Sequence, residues 1–351
     1  MASGDSSWLH FATLAAYRVV RHAARWCRGF LSYLWSFRLF RDSYVVERWP
    51  GALDLASATR VAIFNHYDRQ GVVHEFVRHY VRQLEKAGFA IIFVSNAPRL
   101  APATIDWLTP LCALTIRRTN AGKDFGAYKD GIREIPELAR LDRLLLVNDS
   151  VYGPFHDLSD IVDSMDGETA DVWCITDSWE HRYHLQSYFL LFGRRALAAP
   201  VFLQFWNALR YVQDKNWLIF RYEIGLSRRL MGAGLRCRAL FAYRDCANAV
   251  IEAVQERRIL ENEALSSVQK DYIAAMFGTI NAGRPLNGTH FFWDHLIGAM
   301  GCPFIKRELL RDNPARIPFL TYWQKVIRSA SNYDTDMILR HLELTLRDRS
   351  I

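Results

Sequence analysis

Four times along its first half, the chain runs a short apolar stretch straight into a polar stop. Val61-Ala62-Ile63-Phe64 ends at Asn65-His66-Tyr67-Asp68, Ala90–Val94 at Ser95-Asn96, Leu144–Val147 at Asn148-Asp149-Ser150, and Asp171–Thr176 at Asp177. Unbroken apolar runs of this length fit strands covered on both faces, the condition of a parallel sheet held between helices. That is a severe constraint, because parallel neighbours must be joined by crossovers long enough to carry a helix.

The intervening sequence supplies such crossovers. Val72, Val73, Phe76, Val77, Tyr80, Val81 and Leu84 recur at helical spacing, and Gly88 follows as a stop signal. A further strand is expected at Ala113–Ile116, then a helix from Asp124 that turns Phe125, Tyr128, Ile132 and Ile135 to one side. Ser187–Phe192 reads as a sixth strand, and beyond Ala196 the pattern turns helical over 202–212, 222–231 and 320–346. The expected fold class is α/β: an open, mostly parallel sheet flanked by helices, with helical extensions at both ends. The domain boundaries expected are a basic amphipathic segment over 1–45, one α/β domain over 55–315 and a C-terminal helical extension over 316–351.

Composition narrows the function. Half of the 351 residues are hydrophobic, enough for a large core and too many for a disordered chain. A formal net charge of +7 favours anionic partners such as nucleotide phosphates or acidic lipids. No basic run, zinc pattern or RNA-binding signature accompanies that charge, so nucleic acid is not an expected partner. The six cysteines form no CxxC pair, which argues for reduced thiols in a cytoplasm rather than zinc or disulfides. Dinucleotide, P-loop and nucleophile-elbow patterns are all missing. From Trp8 to Phe40, apolar residues are interrupted by Arg18, Arg21, Arg25, Arg28 and Arg38, which fits neither a spanning helix nor a secretory signal. Two readings stay open there, a helix lying in a membrane interface and an ordinary helix packed on the domain.

If the strands are parallel, Asn65–Asp68, Asn120–Asp124, Asn148–Ser150 and Asp177 gather on one rim, where open α/β sheets bind ligands. Asp149 then has two readings: an Asx turn bonding its own backbone, or a carboxylate of a site.

The segments VAIFNHYD, RRTNAGKDFGAYKDG, LLLVNDSVYGPF, DVWCITDS, HLQSYFLLF, YEIGLS, FFWDHLI and GCPFIKRELLRDNP, in that order over residues 60–315, resemble the rhamnan synthesis protein F family of bacterial glycosyltransferases. The resemblance implies a GT-A-like fold. It further implies an inverting transfer of a sugar from a nucleoside-diphosphate donor to a cell-surface or lipid-linked glycan, at the inner face of the cytoplasmic membrane. The family's name makes that donor dTDP-L-rhamnose. Within this frame Asn65, His66, Tyr67 and Asp68 are expected to border the nucleobase, their plain alternative being a capped turn. Asn120, Gly122 and Asp124 open a helix and are expected at the diphosphate, Asp124 being otherwise an N-cap. Asn148 and Gln186 complete the donor-binding set.

Many GT-A enzymes end the central strand in Asp-x-Asp, and Asn148-Asp149-Ser150 lacks the second carboxylate. Two arrangements are then open. Asp149 holds Mg2+ or Mn2+ with help from His290, or Lys306 and Arg307 neutralise the diphosphate themselves. For the base that deprotonates the acceptor, Glu223 at an expected helix start comes first and Asp177 second, with Glu180 behind them. The missing carboxylate also leaves a second function, a non-catalytic nucleotide-sugar or glycan binding subunit of a polysaccharide synthesis complex.

Overall fold

All four apolar runs become strands of one nine-stranded sheet in the computed structural model, which describes residues 20, 23–24, 26–36, 43–256 and 265–347. Its strands are β1 (Val45–Pro50), β2 (Arg60–His66), β3 (Ala90–Ser95), β4 (Leu114–Arg118) and β5 (Arg143–Asn148). After the short β6 (Val151–Tyr152), the sheet continues with β7 (Val172–Ser178), β8 (His184–Leu185), β9 (Phe189–Gly193) and β10 (Cys237–Phe241). The order is β1-β4-β3-β2-β5-β9-β7-β10, with β8 hydrogen-bonded to β7. Strands β2, β3, β4, β5, β7 and β10 share one direction, whereas β1, β8 and β9 oppose it. Outside the sheet, β6 pairs antiparallel with β11 (Ile305–Lys306). This is the open, mostly parallel sheet flanked by helices that the sequence led one to expect.

The apolar runs are buried on both faces, as parallel strands require. Ala62, Phe64, Ile91, Phe93, Leu145 and Val147 face a core shared with helix α2 (Glu75–Lys86) and with Ile327, Ile338 and Leu342 of the C-terminal helices. Val61, Ile63, Ile92, Val94, Leu144 and Leu146 face the other core, shared with α3 (Lys123–Arg133) and Phe202–Trp206. Each fully buried Ile, Leu, Val or Phe in these layers contributes about 1.5–3 kcal/mol.

Three differences from the sequence reading have local causes. Helix α2 begins at Glu75 rather than Val72, because Asp68 Oδ1 accepts from the amides of Gln70 and Val72 and holds 68–72 as a turn. Strand β9 runs antiparallel between β5 and β7, which brings its leading residues, Gln186 to Tyr188, to the carboxyl ends of its neighbours. Glu223 does not start a helix. It lies inside a continuous helix α4 (residues 215–232), whose Leu218–Glu223 stretch is a π-helical turn. The apolar stripe reveals only its second half, Tyr222–Met231. The basic 1–45 segment lies largely outside the described residues, including Arg18, Arg21, Arg25 and Arg38. Among the described residues no helix is long and apolar enough to cross a membrane.

Helix α3 is seated by glycine. A Cβ on Gly131 would approach Ile63 Cγ2 to 2.7 Å, and one on Gly126 would lie 2.2 Å from the Ala121 carbonyl oxygen and 2.9 Å from Arg118 Nη2. At Gly126 the obstacle is backbone, which has nowhere to go. Gly126→Ala is therefore expected to destabilise the fold by at least about 1–3 kcal/mol. Gly232→Ala, with nothing within 4 Å of its Cβ, is the matched control and should be close to neutral in the same urea titrations.

Candidate active site

Beneath the rim of the sheet runs a continuous polar relay. Arg118, at the end of β4, is wholly buried and donates through Nε to Asp130 Oδ2 at 2.7 Å. Its Nη1 donates to Asn96 Oδ1 at 2.6 Å, and its Nη2 to the Ala121 carbonyl at 2.7 Å. Tyr211 Oη donates to the other oxygen of Asp130. Asn96 passes the relay on, donating to Asn65 Oδ1 at 2.9 Å, and Asn65 donates to Asp124 Oδ1 at 2.8 Å. Asn148 donates to Asp124 Oδ2 at 3.3 Å, and its own Oδ1 accepts the Ser150 amide at 3.0 Å. Each stop residue after β2, β3, β4 and β5 is thereby tied to its neighbour. Breaking a buried charge pair such as Arg118–Asp130 by removing one partner typically costs about 3–5 kcal/mol, so the relay is a stiff support.

Above it opens a cavity of about 600 Å³. Tyr67, Asp124, Asn148, Asp149, Gln186, Glu223, His290, Lys306 and Arg307 of the expected set all line it. Asp149 is held on three sides: Arg307 Nη1 lies 3.0 Å from its Oδ2, the Tyr67 amide donates to the same oxygen, and Arg307 also donates to its carbonyl. The Lys306 ammonium stands 3.8 Å over the Tyr188 ring. Lys306 is only half-buried by surface, yet protein crowds its ammonium at the cavity floor. Burial pushes its pKa down to about 8, against the pull of Glu223, Glu308 and Asp124. Asp124 is driven the other way, to about 6, by burial and then by the charges of Asp149 and Glu223. Glu223 projects from the π-helical turn of α4, and its Oε1 accepts both the amide and the hydroxyl of Ser187 at 2.8 Å.

The remaining expected residues lie around the cavity rather than on it. His66 is buried between Ser95 Oγ and the Val72 carbonyl, each 3.1 Å from a ring nitrogen, and burial lowers its pKa. Asp68 holds its own turn and lies 3.4 Å from His74 Nε2. Burial would raise its pKa, but the bonds from His74, Val72 and Gln70 hold it well below the usual carboxylate range. The Asn120 carbonyl accepts from Gln213, and Gly122 (φ +72°) passes close beneath Tyr211. Asp177 accepts the Tyr243 amide at 2.6 Å at the start of helix α5 (Tyr243–Glu256), which leaves Glu223 as the one of the two base candidates on the cavity wall. Ser187, Lys215, Glu308 and Arg311 also line the cavity without having been singled out. Ser187 had a signal, its place between Gln186 and Tyr188; a lone Lys215 in DKNW had none.

The protein side chains alone do not supply a full ligand set for a divalent cation. Among the described residues no three His, Cys, Asp or Glu side chains gather to hold one, and the Asp149 carboxylate is already matched by a guanidinium. The pKa of buried His290 is pushed down to about 4 by burial and by Lys306, whose charge also disfavours a second cation beside it.

Residues 91–257 match the family described as Rhamnan synthesis protein F. The virulence protein VirA of Vibrio anguillarum is 32% identical over 266 residues, which cover 74% of this chain and 82% of VirA. The chain belongs to the rhamnan synthesis protein F family. Among solved structures it is similar to the glycosyltransferase GlyE of Streptococcus pneumoniae, at a TM-score of 0.37 and 13% identity, over 80% of this chain and 63% of that one. It is also similar to a mannosyltransferase of Pyrobaculum calidifontis in complex with GDP-Man and Mn2+, at 0.32 and 11%, over 95% and 92% of the two chains.

The Asp124 shift has a thermodynamic consequence. Folding raises this pKa from 3.8 to about 6, so the folded state holds the proton more tightly than the unfolded one. The ionised group therefore penalises the fold above pH 6, and the penalty vanishes below pH 4. Two pH units correspond to at most about 3 kcal/mol. Urea unfolding at pH 4 and pH 7 should show Asp124→Asn gaining on the unsubstituted protein by up to that amount as the pH rises.

Proposed function

We propose that this protein is an inverting glycosyltransferase that moves a sugar, L-rhamnose, from a nucleoside-diphosphate donor to a lipid-linked or cell-surface glycan. We propose further that it does so at the inner face of the cytoplasmic membrane. One observation carries the reading: a single cavity brings together a positively charged pair, Lys306 and Arg307, and an oriented carboxylate, Glu223. Family membership supports sugar transfer in rhamnan synthesis, and the choice of rhamnose and of dTDP as its carrier rests on that alone.

In this reading the diphosphate lies against Arg307 and Lys306, with Lys215 and Arg311 at the mouth. Arg307 offers a planar fork to phosphate oxygens, held in place by Asp149. The Lys306 ammonium is charged below about pH 8 and stands in a site where water screens little. These fixed cations take up the charge that develops as the anomeric carbon–oxygen bond breaks and its electron pair passes to the leaving diphosphate. Tyr67, 42% exposed at the rim, offers a ring to the base. The acceptor hydroxyl attacks from the opposite face, and its proton passes to Glu223. Ser187 holds Oε1 of that carboxylate, leaving Oε2 for the hydroxyl. Asp124, on the cavity wall, serves as a support for Asn65 and Asn148.

Release of nucleoside diphosphate from a panel of nucleotide sugars, with a lipid-linked acceptor, tests the assignment. Glu223→Gln should lower turnover by about 10²–10⁴-fold while donor affinity is unchanged. Undiminished turnover in that variant removes Glu223 from the mechanism. Donor binding without transfer to any acceptor identifies a binding subunit instead.

A further inference from the structure

Helix α1 (residues 26–36) has two apolar faces, and the described protein covers only one. On the inner face, Trp26 and Tyr33 lie against Trp217 of α4 with ring centroids 6.2 and 5.0 Å away, and a Cβ on Gly29 would sit 3.2 Å from the same indole. On the outer face Leu31, Leu34 and Trp35 are 55%, 44% and 57% exposed, with Phe30 at the margin at 51%. Stable surface helices normally carry a polar outer face. Arg28 is the one charged residue of this stretch.

A second observation lies beside it. Between α1 and α4 runs a groove of about 440 Å³, floored by Tyr33, Phe205 and Phe220 and edged by Arg221, Arg228 and Arg229. No acidic side chain lines it among the described residues. The three arginines are exposed, and the chain as a whole carries +7; Arg28, also exposed, lies 3.5 Å from Asp214 Oδ2 and is not counted with them. A bare apolar stripe next to an acid-free guanidinium cluster complements one kind of surface. Acyl chains accept the leucines, lipid phosphates meet the arginines, and a tryptophan settles at the boundary between them.

We infer that the outer face of α1 and the arginine edge of α4 together form a docking surface for an anionic phospholipid bilayer, on which α1 lies flat. The inference does not rest on sugar transfer. It does connect to the cavity, because α4 turns Lys215, Leu218, Ile219 and Glu223 into that cavity while its Arg221, Arg228 and Arg229 edge the groove. A bilayer held on one side of this helix lies next to the place where an acceptor would enter on the other.

The test is co-sedimentation of the full chain with vesicles of phosphatidylcholine alone, or of phosphatidylcholine with one-third phosphatidylglycerol. The protein is expected to pellet with the anionic vesicles, less so with the neutral ones, and less as salt rises. Arg228→Ala with Arg229→Ala should weaken that binding by about fivefold per arginine. Leu31→Asp with Leu34→Asp should abolish it. These side chains are exposed, so both double variants should keep their circular dichroism and their affinity for dTDP. Failure to pellet with anionic vesicles overturns the inference, as does unchanged pelleting of both variants. A Leu31→Asp/Leu34→Asp variant that turns a dimer into a monomer, in a protein that ignores vesicles, also overturns it and gives the face to a second copy of the chain.

Discussion

The buried guanidinium of Arg118 is the interaction on which the rest of the site depends. It sits where β4 ends and draws together Asp130 of α3, Asn96 after β3 and the carbonyl of Ala121 in the loop that opens α3. From Asn96 the bonds continue through Asn65 and Asp124 to Asn148, so four strand ends are held in one register by side chains rather than by the sheet alone. A backbone ladder fixes strands along their length, but it stops where the strands stop. The relay carries that order a few ångströms further, to where the cavity begins. Its cost is the desolvation of an ion pair, repaid by full hydrogen bonding.

The relay also places charge. Asp124 is kept among buried amides beside two other carboxylates, and its proton affinity rises accordingly. Lys306 is kept deep over an aromatic ring, and its proton affinity falls. Both shifts are unfavourable to the isolated fold; an anion bound at Lys306 would relieve the lysine and drive the Asp124 carboxyl further towards its neutral form. That is the pattern of a site built to hold something rather than to stabilise itself. The π-helical turn in α4 fits the same description, since such turns cost regular hydrogen bonding and concentrate at functional positions.

Much of this was legible in the sequence, and the limits are physical. The apolar runs and their polar stops gave the sheet, because burial on both faces leaves no room for polar residues. Of the residues expected to gather if the strands ran parallel, Asp124, Asn148 and Asp149 share one cavity, whereas Asp68 and Asp177 lie off it. The direction of β9 could not be read, since SYFLLF is equally buried whichever way it runs. Arg118, in RRTN, has the look of a solvated charge and is wholly buried; only its partners, 12 and 22 residues distant, explain it. Lys215 and the first turns of α4 carry no stripe, because that stretch turns one face to the cavity and another to Trp26 and Tyr33. The role of Asp149 was open between metal ligand and turn, and Arg307, 158 residues away, engages both its carboxylate and its carbonyl.

In the proposed function, fixed protein cations, and not a resident metal, hold the diphosphate on this rim. Calorimetric titration of dTDP into the protein, once in EDTA and once in Mn2+, tests it most directly, with Arg307→Ala as the comparison. Affinity should be equal in both buffers and fall at least about tenfold in the variant, the scale of a charge-assisted bidentate contact. Binding that appears only with Mn2+ and is indifferent to Arg307→Ala would contradict it.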